Sequence, residues 1–263
     1  MGSVSRVAIV TGAARGIGAA TARTLADAGW SVLAVDSVTD DPALPYEMGT
    51  PAQLEKTAAY APDRIVAFTA DVRDAAQLEA AVESARATWG GLDAAIGAAG
   101  VIAGGRPLWE VPPAQEKAVI DVNLYGALNL ARAAVPELLK RPEPRSGRFI
   151  VVASAAASRG LPMLAAYCAA KAGVTGLIRS LAAELGNTGV TANAVSPGST
   201  RTEILDESAR LYGLPDAQTF AAQQPMQRLL DPQEIADVLV FLAGEASSAM
   251  TGAIVAVDGG LGL

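Results

Sequence analysis

Arg6-Val7-Ala8-Ile9-Val10-Thr11-Gly12-Ala13-Ala14-Arg15-Gly16-Ile17-Gly18 is the stretch whose reading decides the fold. Its β-branched run stops at Gly12, the mark of a buried strand ending in a tight turn. A helical pattern comes next, from about Gly16 to Ala28, with Ala19, Ala20, Ala22, Leu25 and Ala26 as its apolar side and Gly29 as its stop. Ser31-Val32-Leu33-Ala34-Val35-Asp36 is a second strand. A β-α-β unit of about thirty residues is the size of one right-handed crossover in a parallel sheet.

The same alternation runs on through the chain. Strands are expected at Arg64–Thr69, Leu92 to Gly97, Arg148–Ser154, Thr191–Ser196 and Ala253–Val257. Helices are expected after Thr50-Pro51, from Asp74 toward Trp89, from Pro113 to Leu139 with a kink at Pro136, over the stretch holding Tyr167 and Lys171 as far as Gly186, and from Pro232 to Leu242. Ser37 to Thr50 has no periodicity and reads as a loop, and Thr202 to Gln227 reads as irregular or weakly helical. The strands are apolar throughout rather than alternating, as in a parallel sheet covered on both faces. With no linker and no repeat, residues 1–263 read as one doubly wound, Rossmann-type α/β domain with a parallel sheet of about seven strands.

Composition excludes several functions. The 263 residues are 51% hydrophobic and 18% charged, with a net charge of -7, which disfavours a nucleic-acid partner. There is no histidine, so a Ser-His-Asp triad and a histidine-ligated metal are ruled out, and no metal site is expected. Cys168 is the single cysteine and reads as small packing. Met1 to Arg6 lead into a strand without a signal peptide's apolar run, and no run is long enough to span a bilayer, so the expectation is a cytoplasmic protein without a membrane partner.

Acid-base work must then fall to a carboxylate, a lysine, the cysteine or a tyrosine. Tyr167 and Lys171 are four apart, on one face of a helix. A phenol with an ordinary pKa of about 10 needs a fixed positive charge to act near neutral pH, and Lys171 can supply one. At the other end, the turn Gly12 to Gly18 joins a strand to a helix amino terminus, where free N–H groups suit a dinucleotide pyrophosphate. The spacing is not G-x-G-x-x-G, because Thr21 stands in the third position counted from Gly16. Asp36 ends the second strand near the distance for accepting from the ribose hydroxyls of NAD, and its charge would repel the 2′-phosphate of NADP. Asp71 ends the third strand and suits the adenine amino group.

Thr11 to Gly18, Asp71, Asn123, Ser154, Tyr167, Lys171 and Pro197-Gly198, in this order over nearly the whole chain, resemble the short-chain dehydrogenase/reductase family. The thirteen-residue interval from Ser154 to Tyr167 and the Tyr167-x-x-x-Lys171 spacing are both similar to that family's pattern. The resemblance implies hydride transfer between NAD and a secondary alcohol or ketone. It implies that Tyr167 passes the proton, Lys171 lowers the Tyr167 pKa and holds the nicotinamide ribose, Ser154 orients the reacting oxygen, and Asn123 anchors a water leading from Lys171 to solvent. Gly12, Arg15, Gly16, Ile17, Gly18, Asp36, Asp71, Val72, Ala99, Gly100, Tyr167, Lys171, Pro197, Gly198 and Thr202 are the implied cofactor contacts, Thr202 at the carboxamide. A homotetramer is implied too, with Gly259 to Leu263 packing across an interface.

Two positions depart from the family pattern. Ala98-Ala99-Gly100 replaces the common Asn-Ala-Gly, which would weaken the sheet by about 1 kcal/mol if a buried partner were left unpaired. The added loop after Asp36, with Asp40, Asp41, Pro42 and Pro45, is similar to the subgroup associated with the redox cofactor mycofactocin, which implies a tightly bound NAD recycled in place. A catalytically idle nucleotide-binding relative and an NAD-retaining epimerase or dehydratase remain as alternatives. Residues 199–227 are expected to form the substrate lid, and Leu205, Leu211, Tyr212, Leu214 and Phe220 suggest an apolar ligand, with Leu161, Met163 and Trp109 as further candidates for its wall.

Overall fold

A computed structural model describes residues 6–263; Met1 to Ser5, where a leader was not expected, lie outside the described residues. Strand β1 (Val7–Thr11) is buried along its whole length because it has a neighbour on each edge and a helical layer on each face. Val7 and Ile9 point into one apolar cluster, Ala8 and Val10 into the other, as a pleated strand requires. Helix α1 (Gly16–Asp27) returns the chain to β2 (Ser31–Asp36), paired in parallel with β1 from Val7 against Ser31 to Thr11 against Val35. The first β-α-β unit is therefore as expected.

The chain continues through α2 (Pro51–Ala59), β3 (Ile65–Thr69), α3 (Ala75–Trp89) and β4 (Ala94–Gly97). Next come α4 (Pro113–Ile120), α5 (Gly126–Leu139), β5 (Arg148–Val152), α6 (Ala165–Glu184) and β6 (Thr191–Pro197). Helices α7 (Glu203–Leu211) and α8 (Pro232–Ala243) precede β7 (Ile254–Val257). All seven strands are parallel, in the order β3-β2-β1-β4-β5-β6-β7. Leu78 and Val82 of α3, Leu130 and Leu138 of α5 and Ile178 of α6 cover one face. Leu25 of α1 and Ile235, Leu239 and Leu242 of α8 cover the other. The order reverses direction between β1 and β4, and at such a point the loops diverge and leave a crevice beyond the strands' carboxyl ends.

Three local features differ from the sequence expectation. The helix expected from Pro113 to Leu139 is interrupted by a five-residue π-helix at Asp121–Tyr125, while α5 runs through Pro136. The widened turn lies at Asn123, which is buried and spends its side chain on backbone groups. The segment after Thr202 contains a regular helix, α7, and a 3-10 helix at Ala217–Gln223. Glu203 and Asp206 in the first turn of α7 and Arg210 in its last suit the helix dipole. Finally, no side-chain partner is orphaned by the alanine at 98: among the described residues the only buried side-chain polar atom without a hydrogen bond is Thr191 Oγ1. The backbone N–H groups of Ala98 and Ala99 donate to Thr11, to its carbonyl at 3.2 Å and its hydroxyl at 3.4 Å.

Candidate active site

A cavity of about 690 Å³ opens at the carboxyl ends of the central strands, and every residue singled out from the sequence as a site residue lines it. Its nucleotide end is built by close backbone approach. Gly12 has φ +69, and a Cβ there would stand 2.6 Å from the backbone nitrogen of Ala99. A Cβ on Gly18 would stand 2.0 Å from the Gly12 carbonyl oxygen, so this glycine lets α1 start directly against the turn. Gly16 faces open space up to Thr202 Cγ2 at 3.4 Å, and the first turn of α1 carries no acidic residue. An uncrowded turn at a helix amino terminus fits a pyrophosphate.

Asp36 is held at the end of β2, its Oδ2 accepting from the Ala14 N–H at 3.0 Å and its Oδ1 from the Val38 N–H at 3.2 Å. The carboxylate is thus fixed in direction and keeps acceptor capacity for ribose hydroxyls. Asp71 is gripped by Arg73, whose Nε and Nη2 donate to it at 2.9 and 2.6 Å. Burial alone would raise the Asp71 carboxyl, but the hydrogen bonds from Arg73 outweigh it and hold it below its ordinary value.

Ser37 to Thr50, an irregular loop as expected, is a strap across this end of the cleft, and its landing points were not evident beforehand. Arg73 Nη1 donates to Asp41 at 2.5 Å, tying the strap to the end of β3. Arg15 Nη2 donates to the Glu47 carbonyl at 2.7 Å and its Nε lies 3.8 Å from Glu203 of α7, so one side chain links turn, strap and α7. Tyr46 accepts from the Ile102 N–H at 3.0 Å, and burial pushes its pKa to about 12 against that hydrogen bond. Leu44 and Met48 are buried in a cluster with Val101 and Val119, against which Tyr167 also packs.

The opposite end holds the four candidate catalytic residues. Lys171, buried in α6, donates to the Val152 carbonyl at 2.9 Å, and burial pulls its pKa down to about 8. Its Nζ is 5.8 Å from the centre of the Tyr167 ring. Part of Tyr167 faces the cavity, yet desolvation raises its pKa while a hydrogen bond with Ser154 opposes the rise. The resemblance implied a lowered phenol. With protein groups alone around it the sign is reversed, because burial of the phenol outweighs the Ser154 hydrogen bond. Ser154 Oγ also accepts from the Ala156 N–H at 3.1 Å, opening a 3-10 turn.

Asn123 is far from the helix-surface amide its sequence position allows. Its Nδ2 donates to the carbonyls of Val101 and Val119 at 2.8 Å each, and its Oδ1 accepts from the Val101 N–H at 3.3 Å. A Cβ on Gly100 would stand 2.9 Å from Asn123 Oδ1 and 3.7 Å from Lys171 Nζ, so the glycine admits both groups to one corner.

Pro197 and Gly198 end β6 beneath a buried side chain that sequence reading missed, Gln224. Its Oε1 accepts from the Ser199 N–H at 2.7 Å, fixing that turn. Thr202 donates to the Thr200 carbonyl at 3.2 Å and abuts Gly16. Leu205, Tyr212, Leu214, Phe220 and Leu161 line the cavity, whereas Leu211, Met163 and Trp109 do not. Trp109 is 84% exposed, and Leu211 packs on Gly105. Leu261 of the carboxyl-terminal segment also lines the cavity of its own chain. The described residues contain no helix long and apolar enough to cross a membrane.

These parts define an oxidoreductase class, and comparison with known proteins agrees. The family described as enoyl-(acyl carrier protein) reductase matches residues 12–262. The chain belongs to the short-chain dehydrogenase/reductase family. It is 37% identical over 259 residues to cis-4-hydroxycyclohexanecarboxylate dehydrogenase of Sinomonas cyclohexanicum, covering 97% of this chain and 96% of that one. It is 33% identical over 260 residues to oxidoreductase UcpA of Salmonella typhimurium, covering 97% and 94%. Among solved structures, carveol dehydrogenase from Mycobacterium avium in complex with NAD superposes with a TM-score of 0.92 at 33% identity, covering 99% of each chain.

Proposed function

We propose that this protein interconverts a secondary alcohol and its ketone with NAD as hydride carrier. The observation that carries the reading is the meeting of Tyr167, Ser154, Lys171 and Asn123 in one end of a cavity whose other end is the glycine turn with Asp36. The glycine turn and Asp36 would hold NAD along the cavity, and its nicotinamide would supply the hydride acceptor for oxidation and, when reduced, the hydride donor for reduction. Tyr167 gives the proton to the carbonyl oxygen, or takes it from the hydroxyl. Ser154 hydrogen-bonds that same oxygen and fixes its direction toward the phenol. Lys171, charged below about pH 8, stabilises the phenolate that remains after the proton has moved. Asn123 ties the Val101 and Val119 carbonyls together through its amide, and the corner it shares with Lys171 takes a water leading to solvent.

Asp36 selects NAD, since a 2′-phosphate would meet its charge. The strap from Ser37 to Thr50 retains the bound nucleotide, and recycling then requires an external acceptor of the mycofactocin kind. Residues 199–227 act as the substrate lid, and the active form is a cytoplasmic homotetramer. Two relatives act, by their names, on ring-borne groups, cis-4-hydroxycyclohexanecarboxylate and carveol, and the apolar wall of Leu161, Leu205 and Phe220 suits a cyclic body. Assay of cyclic alcohols with NAD and NADP, with and without an artificial electron acceptor, tests the reading. Absence of turnover in every combination would reject it, and redox-neutral conversion would favour an epimerase or dehydratase.

A further inference from the structure

Among the described residues four cations line the cavity, and three have evident work. Arg15 joins the Glu47 carbonyl and Glu203, Arg73 joins Asp71 and Asp41, and Lys171 is hydrogen-bonded to Val152 in the catalytic corner. The fourth, Arg159, makes no ion pair with any described residue, in a chain whose net charge is -7. Its backbone is fixed between two candidate catalytic residues. The Arg159 N–H donates to the Ala155 carbonyl at 3.1 Å, one residue from Ser154, and its carbonyl lies 3.8 Å from Cys168 Sγ, one residue from Tyr167. The guanidinium is exposed at the cavity rim, where its Nη1 donates to the Leu261 carbonyl. A guanidinium has five donors, so most of its fork remains available.

The surface beside it is apolar. Leu161, Pro162 and Leu164 lie within the next five residues, and Tyr212 of the lid is docked there by donating to the Pro162 carbonyl at 2.7 Å. Phe220 meets the Tyr212 ring edge to face at 6.1 Å. A ligand with its hydroxyl or carbonyl at Tyr167 thus has an apolar wall for its body and one unpaired planar cation at the rim.

We propose that Arg159 is a specificity-determining residue that binds a carboxylate at the far end of the substrate, so that the substrate class is a compact hydroxy or oxo carboxylic acid with an apolar, ring-like middle. This rests on the alcohol/ketone reading above and adds the anionic group to it. The carboxylate takes the open side of the guanidinium fork in a paired, charge-assisted contact. Arg159 takes no part in proton or hydride movement.

The test compares 4-oxocyclohexanecarboxylate with its methyl ester, which has the same ring without the charge. The acid-to-ester ratio of kcat/KM should fall about tenfold or more in Arg159→Gln and be partly restored in Arg159→Lys, as loss of one charge-assisted pair predicts. An unchanged ratio in Arg159→Gln overturns the proposal. A merely structural clamp on the carboxyl-terminal segment would lower both substrates alike and leave the ratio where it was. Calorimetric binding of cyclohexanecarboxylate to the NAD-loaded protein provides a second reading that needs no turnover. Wild type should bind it about tenfold more tightly than Arg159→Gln does, with cyclohexanecarboxamide insensitive to the substitution. Equal affinity, or no binding to either protein, overturns the proposal. Arg159-dependent binding without reduction of either ketone would uphold the anion subsite and reject the alcohol/ketone reading.

Discussion

Lys171 and Val152 are joined by a 2.9 Å hydrogen bond from ammonium to carbonyl, which clamps α6 onto the carboxyl end of β5. The contact sets the height of Tyr167, one turn earlier on α6, relative to Ser154, two residues beyond Val152. It also commits the protein to burying a charge.

Lys171→Met should be more stable than wild type at pH 7 and inactive. The folded-state pKa of Lys171 is about 8 against an ordinary 10.5, so below pH 8 wild type carries the full penalty of an ammonium out of water, about 3 kcal/mol. Loss of the Val152 hydrogen bond returns about 1 kcal/mol of that. Because the folded pKa is depressed, wild-type stability recovers as pH rises from about 8 to 10.5. Thermal unfolding of both proteins should therefore differ most at neutral pH and converge toward pH 10.

Tyr167→Phe removes the only hydroxyl proposed to exchange a proton with substrate. We expect kcat to fall about a thousandfold while NAD affinity changes little. Steady-state kinetics alongside nucleotide titration checks this, and a variant with near-normal kcat would exclude Tyr167 as the acid-base group.

Asp36→Asn removes the charge and keeps one acceptor oxygen, for either the Ala14 or the Val38 N–H, while its amide nitrogen cannot accept from the other. The ratio of kcat/KM for NAD over NADP should drop by about tenfold or more, mainly through improved use of NADP. An unaltered ratio would move cofactor selection elsewhere in the site.

Asp41→Ala cuts the strap from Arg73 and leaves its anchors at Glu47 and Tyr46 in place. Dissociation of NADH, followed by stopped-flow fluorescence, should accelerate by about tenfold, since related complexes differ mostly in off-rate. The same off-rate in both proteins would show that the strap does not hold the nucleotide.

Much of this was legible beforehand, and for a physical reason. Val7 to Asp36 folds by local rules of strand, glycine turn and helix stop, and the Ser154, Tyr167 and Lys171 spacing requires only one strand and one helix. The features that could not be read depend on distance across the fold. The loop after Asp36 was recognised as irregular, but nothing in its own residues says that Tyr46 meets Ile102, fifty-six positions away. Arg73 lies two residues after Asp71 in the chain, yet its second partner, Asp41, is supplied by that same folded-over loop. The Tyr167 pKa was expected to be lowered because helical spacing places Lys171 near it; how deeply both are buried is a property of the assembled cleft.

The π turn at Asp121–Tyr125 has a consequence for helical numbering. A wheel drawn continuously from Pro113 to Leu139 falls out of phase there, so residues on either side that seem to share a stripe do not. Deleting one residue within this turn should let α4 and α5 fuse into a regular helix with the two halves in their present orientation, because a π turn takes up its extra residue by widening. The single surplus residue is therefore confined to one widened turn, and the Asn123 amide is placed by that turn.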